Sequence, residues 1–330
     1  MRVTRGTASS RVGTGLLLAV LAVLAAAPAW ASPATLRLLI EVFVYAALAS
    51  LWNLLAGYAG LVSVGQQAFV GLGGYVLFGL AIEAGVNPLP AILIAGLVAA
   101  VVAIPVAVLL FRLRDAYFAI GSWVAAEVFR LLASQLSVLG GGSGTSLPAR
   151  LVSSLARNRQ EREWVVYGVA LGLLVFVLGL IVALLRSRFG MALTALRDNE
   201  VAARSSGVDV RRVKLLVFVM TAGCTAMAGA LIFLQRLRIS PDAAFSVNDW
   251  TALVLFMVVI GGLGSVEGPL IGTVVYFVLR GAFADLGSVY LMLLGAVAIG
   301  VMLVSPRGIW GFVAARTGWQ VLPLRRRLVE

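Results

Sequence analysis

Long apolar blocks, most of them close to twenty residues, run through almost the whole of this chain and are broken by short polar or basic segments. About twenty apolar residues are what an α-helix needs to cross the hydrocarbon core of a bilayer. Inside that core a helix satisfies its own backbone hydrogen bonds, which open loops and sheet edges cannot do. A helix packed on a soluble core would place polar residues every third or fourth position, and most of these blocks do not. With 61% hydrophobic and 12% charged residues over 330 positions, the expected fold is an all-α polytopic membrane protein. Ten spans are expected, approximately 14–32, 37–57, 66–83, 89–111, 116–137, 164–186, 214–235, 250–263, 268–283 and 286–304. The eighth and ninth are short and separated by Gly264-Ser265-Val266-Glu267-Gly268, so one long broken helix, and hence nine spans, is the alternative.

The distribution of charge orients these spans. Basic residues concentrate in cytoplasmic loops of membrane proteins. A cytoplasmic N-terminus puts Arg2, Arg5, Arg11, Arg112, Arg114, the cluster from Arg186 to Lys214, and Arg307 through Arg327 inside. That is most of the 26 Lys and Arg residues. Ten spans also return the basic C-terminus to the cytoplasm, which nine would not. The chain is then a single domain, 1–330, with cytoplasmic tails at 1–13 and 305–330, a transmembrane region at 14–304 and a cytoplasmic loop at 187–213. The net charge of +12 is a topology signal on this reading, and no nucleic-acid face is expected. The first span also resembles a cleavable signal peptide, with Arg2, Arg5 and Arg11 before an apolar run from Leu16 to Ala26 and then Ala29-Trp30-Ala31. Cleavage would leave the orientation of everything downstream unchanged.

Two absences exclude whole classes of chemistry. The sequence has no histidine, and its single lysine, Lys214, is followed by Leu215. A phosphate-binding P-loop needs Lys followed by Ser or Thr, so no standard nucleotide site is present. Without His there is no Ser–His pair and no HExxH zinc site. Gly141-Gly142-Ser143-Gly144 reads like the GxSG of intramembrane serine proteases but lacks the base that such a site requires. The lone Cys224 can form no intrachain disulfide. No metal or cofactor is expected on this chain.

Within the 187–213 loop, Ala192 to Ser206 is rich in helix formers and Gly207 is a natural C-terminal stop. Leu193, Leu196 and Val201 give a partial apolar stripe, while Arg197, Asp198, Glu200 and Arg204 are polar. Such an amphipathic helix is either a solvated connector or a docking surface. A faint internal repeat is also visible. Gly60-Leu61-Val62-Ser63-Val64 echoes Gly262-Leu263-Gly264-Ser265-Val266, and Gly71 and Tyr75 echo Gly272 and Tyr276. Duplication and chance similarity both account for it.

Glu200-Val201-Ala202-Ala203, with Gly207 seven residues after the Glu, resembles the cytoplasmic "EAA…G" loop of bacterial ABC importer permeases. The resemblance extends over most of the chain to the branched-chain amino acid permease family of the LivM type. It is carried by Asn53-Leu54-Leu55-Ala56-Gly57-Tyr58-Ala59-Gly60-Leu61-Val62-Ser63 and by Leu113-Arg114-Asp115-Ala116-Tyr117-Phe118-Ala119-Ile120 with Glu127 and Arg130. Ser240-Pro241-Asp242-Ala243-Ala244-Phe245, Gly261-Gly262-Leu263-Gly264-Ser265 with Gly268-Pro269, and Pro306-Arg307-Gly308-Ile309-Trp310-Gly311 continue it. The resemblance implies a transport subunit with no catalysis of its own. It implies a paralogous permease, two ATP-binding subunits that carry ATP and Mg, a periplasmic substrate-binding protein, and residence in the bacterial inner membrane. It also implies that Arg197, Asp198, Glu200, Ala202, Ala203 and Gly207 couple to the ATPase. Where the family commonly has Gly-His, this chain has Gly65-Gln66-Gln67, which puts substrate preference in doubt. Urea and short amides are the alternative cargo.

Ser63, Gln66, Gln67, Tyr117, Glu127, Arg130, Gly262 and Ser265 are candidates for the translocation pathway. Glu127 and Arg130 sit one helical turn apart within a span, so they are expected to face the protein interior and pair, with substrate contact as the alternative. Gly223, Ala226, Gly229 and Ala230 are expected to pack helices closely. The loop 138–163, with Arg157, Arg159 and Arg162, and the segment 236–249 are candidates for docking the binding protein. The rival from another class is a standalone ion-coupled transporter or channel using Glu127 and Arg130, for which the 192–207 helix would be a linker.

Overall fold

The computed structural model describes residues 2–4, 8–153, 155–156, 158–305, 307–317 and 327–329. Arg5, Arg157 and Pro306 lie outside the described residues, as does the side chain of Asp198. In chain order the elements are β1 (Arg2–Thr4), α1 (Ala8–Ala26), α2 (Pro33–Asn53), α3 (Gln66–Glu83), α4 (Pro88–Leu110), α5 (Asp115–Ser134), β2 (Thr145–Ser146), α6 (Ala149–Ser153) and α7 (Arg159–Arg186). They continue with α8 (Arg188–Asp198), α9 (Glu200–Ser205), α10 (Val210–Arg236), β3 (Arg238–Ile239), α11 (Pro241–Ala244), α12 (Leu253–Gly261), α13 (Glu267–Phe283), α14 (Ser288–Val304), α15 (Gly308–Thr317) and β4 (Arg327–Val329). Among the described residues, 7 helical segments are long and apolar enough to cross a membrane, and α1, α3 and α13 stand beside them as shorter or more polar helices. The chain is an all-α polytopic membrane protein.

Caps that the sequence carries start these helices. Ser32 accepts from the Thr35 N–H ahead of Pro33, Asn87 from Leu89 ahead of Pro88, and Asn158 from Glu161. Each satisfies an otherwise orphaned donor of a first turn. Helices α2 and α10 form the core, and α10 packs against α2, α3 and α4. The expected small-residue seam makes that approach possible. A Cβ on Gly229 would lie 2.2 Å from the Val70 carbonyl oxygen, and one on Gly73 would lie 2.0 Å from that of Ala226. Without a hydrophobic drive between helices in lipid, close backbone approach of this kind supplies the packing.

Side-chain contacts sort the loops onto two ends of the bundle. At one end Gln235 Nε2 donates to the Arg37 carbonyl, Arg37 pairs with Glu163, and Arg280 pairs with Glu41 at 2.8 Å. There β2 also pairs antiparallel with β3, Thr145 opposite Ile239. At the other end lie the 187–209 segment, the turn after α2 and the turn between α12 and α13. The β1–β4 pairing, Arg2 opposite Val329, brings the two termini together. Helices α12 and α13 pack side by side as an antiparallel hairpin. A Cβ on Gly261 would lie 1.8 Å from the Gly268 oxygen, and one on Gly272 would lie 1.7 Å from that of Met257. One long broken helix is therefore excluded, because Gly262 (φ 128°) and Gly264 (φ 77°) reverse the chain where a side chain would be strained.

Candidate functional site

The charged stretch is two helices, where the sequence suggested one over 192–206. Asn199 interrupts it with extended backbone (φ −162°, ψ 110°), and its side-chain oxygen accepts from the Ala202 N–H at 3.0 Å. Asn competes with helix continuation by capturing such donors, which is why it caps α9 here. Ser187 caps α8 in the same way, four residues earlier than the composition suggested. Gly207, at φ 83°, ends the unit.

Burial divides the apolar stripe between two faces. Leu193 and Leu196 on α8 and Ala203 on α9 are buried, whereas Val201 is 75% exposed. Phe189 and Met191 on α8 and Ala202 and Arg204 on α9 are exposed as well. Glu200 anchors α9 by accepting from Lys214 Nζ on α10 at 2.7 Å and from Arg204 at 3.1 Å. The Lys214 ammonium, and then the neighbouring guanidiniums, hold the Glu200 carboxyl below the usual carboxylate range. The pair of short helices is thus fixed to the bundle on one side and bare on the other.

Helix α8 packs against the π-helical turn Leu54–Tyr58 that closes α2. A Cβ on Gly264 would lie 3.5 Å from the Gly57 oxygen and 3.7 Å from an Arg197 guanidinium nitrogen, so three segments converge at this point. Asn53 joins them. Its side-chain oxygen accepts from the Gly264 N–H at 2.8 Å, and its amide nitrogen donates to the Ser265 carbonyl at 2.8 Å. Ser265 in turn closes its own turn, its Oγ donating to the Gly262 oxygen and accepting from Gly268 N–H. The turn after α2 and the turn between α12 and α13 therefore meet in space. Asn53 was not singled out in the sequence; the available signal was a carboxamide ending a long apolar helix just before glycines.

The candidate pathway residues fall into three groups. Ser63, Gln66 and Gln67 are buried around the start of α3. Trp52 Nε1 donates to the Ser63 carbonyl at 2.8 Å, and Ser122 on α5 accepts from Val64 N–H at 2.9 Å, so the 59–65 turn is held from both sides. Gln66 donates to the Leu48 carbonyl and Gln67 accepts from the Thr251 hydroxyl. Each carboxamide keeps its other half, Gln66 Oε1 and Gln67 Nε2, without a partner among the described residues. Gly262 and Ser265 form the second group, at the Asn53 junction. Tyr117 is 73% exposed on α5 and joins neither.

Glu127 and Arg130 form the third group and require a correction. They pair at 2.6 Å as expected, but they do not face the interior of the chain. Their side chains are 47% and 30% exposed, and Arg130 also binds Asp242 of α11 at 2.9 Å. The third charge is the physical reason. A guanidinium with several fixed donors binds two carboxylates at once, and the second, Asp242, is exposed, which holds the pair at the surface of the bundle.

A family model described as the permease component of branched-chain amino acid transport systems matches residues 34–306. The chain belongs to that family. It is 31% identical to the high-affinity branched-chain amino acid transport system permease protein LivM of Escherichia coli K12, covering 91% of this chain and 76% of that protein. The LivM protein of Salmonella typhimurium is 30% identical, covering 89% and 74%. A probable LivM of Methanocaldococcus jannaschii is 28% identical over 51% of this chain and 48% of its own length. No solved structure matches the chain. As a member of this family, the chain is the membrane-spanning permease subunit of an ABC importer.

Proposed function

We propose that this permease imports branched-chain amino acids, as the relatives' names say of those proteins, and that it works in the bacterial inner membrane with both termini in the cytoplasm. Its partners on this reading are a paralogous permease, two ATP-binding subunits and a periplasmic binding protein. ATP and Mg belong to the ATP-binding subunits, and the chain itself carries out no chemical step. The single domain has its 187–213 loop facing the cytoplasm.

The observation that carries the coupling role is the division of faces on α8 and α9. Leu193, Leu196 and Ala203 are buried against the bundle while Val201 and its neighbours are bare. A docking handle needs both faces: one to receive a push and one to pass it on. Arg197 sits where α8 meets Gly57 and Gly264, so movement of α8 and α9 reaches the turn after α2 and the α12–α13 turn together. Ser63, Gln66, Gln67, Gly262 and Ser265 border those turns. ATP-driven closure of the partners would shift the bundle between two populated states through differential contact, the only way binding can move such an equilibrium.

Co-purification from native membranes in mild detergent tests the assembly. A second permease and an ATPase should accompany the wild type and be lost from Glu200→Ala and Gly207→Arg. A chain that purifies alone and transports in liposomes without ATP would overturn the reading in favour of a standalone carrier.

A further inference from the structure

An opening lies at the other end of the bundle from α8 and α9. It is a cavity of about 400 Å3 at the end of the bundle where β2 pairs with β3, lined by Gly142, Ser143, Phe233, Arg236, Arg238 and Ser240. Its size is that of a site for a small organic molecule. The backbone that shapes it is held in unusual conformations. Leu237, between the two arginines, is in the left-handed region at φ 56°, one of two non-glycine residues so placed among those described. A side chain in that region is strained and persists only where its surroundings impose it, and such strain clusters at functional sites. Here the Leu237 carbonyl accepts from Leu147 N–H at 3.0 Å, and β3 pairs with β2 immediately after it. The turn brings Arg236 and Arg238 to the same opening. The β2–β3 approach beside it is tight, because a Cβ on Gly144 would lie 2.0 Å from the Ile239 oxygen.

The charges at this opening are unbalanced. Among the described residues neither Arg236 nor Arg238 has an ion-pair partner. The Arg236 guanidinium instead lies over the rings of Trp250 at 5.1 Å and Phe233 at 5.8 Å. Stacking of this kind fixes the plane of a guanidinium and leaves its edge donors available. A guanidinium edge matches a carboxylate in two parallel hydrogen bonds. Asp242 lies between Ser240 and Ala243, both of which line the cavity, and is 83% exposed although it pairs with Arg130. The Glu127–Arg130–Asp242 cluster carries one surplus negative charge beside two uncompensated positive ones.

We infer that this cavity is a receiving site for the α-carboxylate of a free amino acid on its way into the permease. Arg236 and Arg238 bind the carboxylate, and the acidic surplus of the Asp242 cluster favours the ammonium. The inference rests on the proposed amino acid cargo and on the end with β2 and β3 facing outward.

The test uses the complete transporter in proteoliposomes, with L-leucine as the probe and L-leucinamide, which lacks the carboxylate, as the comparison. In the wild type, L-leucine should be taken up and the amide should not compete. Arg236→Gln with Arg238→Gln should lower L-leucine uptake by about tenfold or more while ATPase stimulation by the binding protein stays within about twofold. The Lys variants, which keep charge but lose the planar fork, should recover part of the uptake. Should the double variant fail to assemble, Arg238→Gln alone decides, since Arg238 is exposed and stacks on nothing described. Unchanged uptake in the variants overturns the inference. So does a parallel loss of stimulation by the binding protein, which would make the arginines a docking contact for an acidic surface. A wild type that takes up no branched-chain amino acid would instead overturn the proposed cargo.

Discussion

The carboxamide of Asn53, the last residue of α2, donates to the carbonyl of Ser265 at 2.8 Å across more than two hundred residues of chain. Its oxygen accepts from the adjacent Gly264 N–H at the same distance. One side chain therefore ties two chain reversals into a single unit beneath α8. Asn53→Ala leaves the half-buried Gly264 N–H and Ser265 carbonyl unpaired, each costing at most about 1–3 kcal/mol. The expected outcome is a lower melting temperature and ATP hydrolysis that no longer drives uptake. Asn53→Asp keeps the acceptor for Gly264 and loses the donor to Ser265, so it should fall between Ala and wild type.

The α12–α13 hairpin depends on backbone contact at Gly272, where a Cβ would lie 1.7 Å from the Met257 carbonyl oxygen. Gly272→Ala must push the two helices apart, and overpacking of this kind costs about 1–3 kcal/mol. Gly281, further along the same helix, has nothing within 4 Å of its Cβ position. Gly281→Ala should leave the melting temperature of the detergent-solubilised protein unchanged while Gly272→Ala lowers it. Equal effects at both positions would show that the hairpin is not packed this closely.

Glu200 is held below the usual carboxylate range by the Lys214 ammonium, so its pairing stabilises the attachment of α9 at neutral pH. A carboxyl whose folded pKa is depressed contributes stability above its unfolded pKa and loses it as pH falls through the folded one. The Glu200 side chain is 43% exposed, so the contribution is that of a screened surface pair, about 0–1 kcal/mol. The stability difference between wild type and Glu200→Gln should therefore shrink as pH is lowered from about 7 towards about 3. Melting curves across that range measure it, and a difference that grows in acid would contradict the pairing.

Tyr167 on α7 donates its hydroxyl to the Leu24 carbonyl at 2.6 Å. Pro28 has no N–H to offer that carbonyl four residues back along α1, and Tyr167 supplies the missing donor. Tyr167 is 1% exposed and Ala27, just after α1, is fully buried, so the end of the first helix is tied to α7. The chain purified from membranes should keep that helix, as its intact mass will show. Tyr167→Phe should cost about 1–3 kcal/mol in stability for the carbonyl left unsatisfied.

Glu127 and Arg130 illustrate the limit of reading one helix at a time. Their spacing correctly indicates a pair on one face of α5, because a helix places positions three apart side by side. Which way that face points depends on Asp242, 112 residues later, and no local pattern contains that information. The same holds for the charged loop. Helix formers suggest one helix over 192–206, and the cap at Asn199 that splits it is legible in hindsight as an Asn before Glu.

The sequence by itself determines the class of fold, since an apolar block of sufficient length has no soluble alternative. It also determines the absence of a P-loop lysine and of imidazole chemistry from this sequence, because missing residue types cannot be supplied by folding. The family is legible too, through short segments in a fixed order. Only the tertiary structure decides that residues 53, 57, 197 and 264 meet at one point, and that Arg236 and Arg238 share a cavity. Those arrangements arise from glycine-mediated helix contacts and left-handed turns between residues far apart in the chain. Their positions are set by packing in three dimensions, to which periodicity along a single helix is blind.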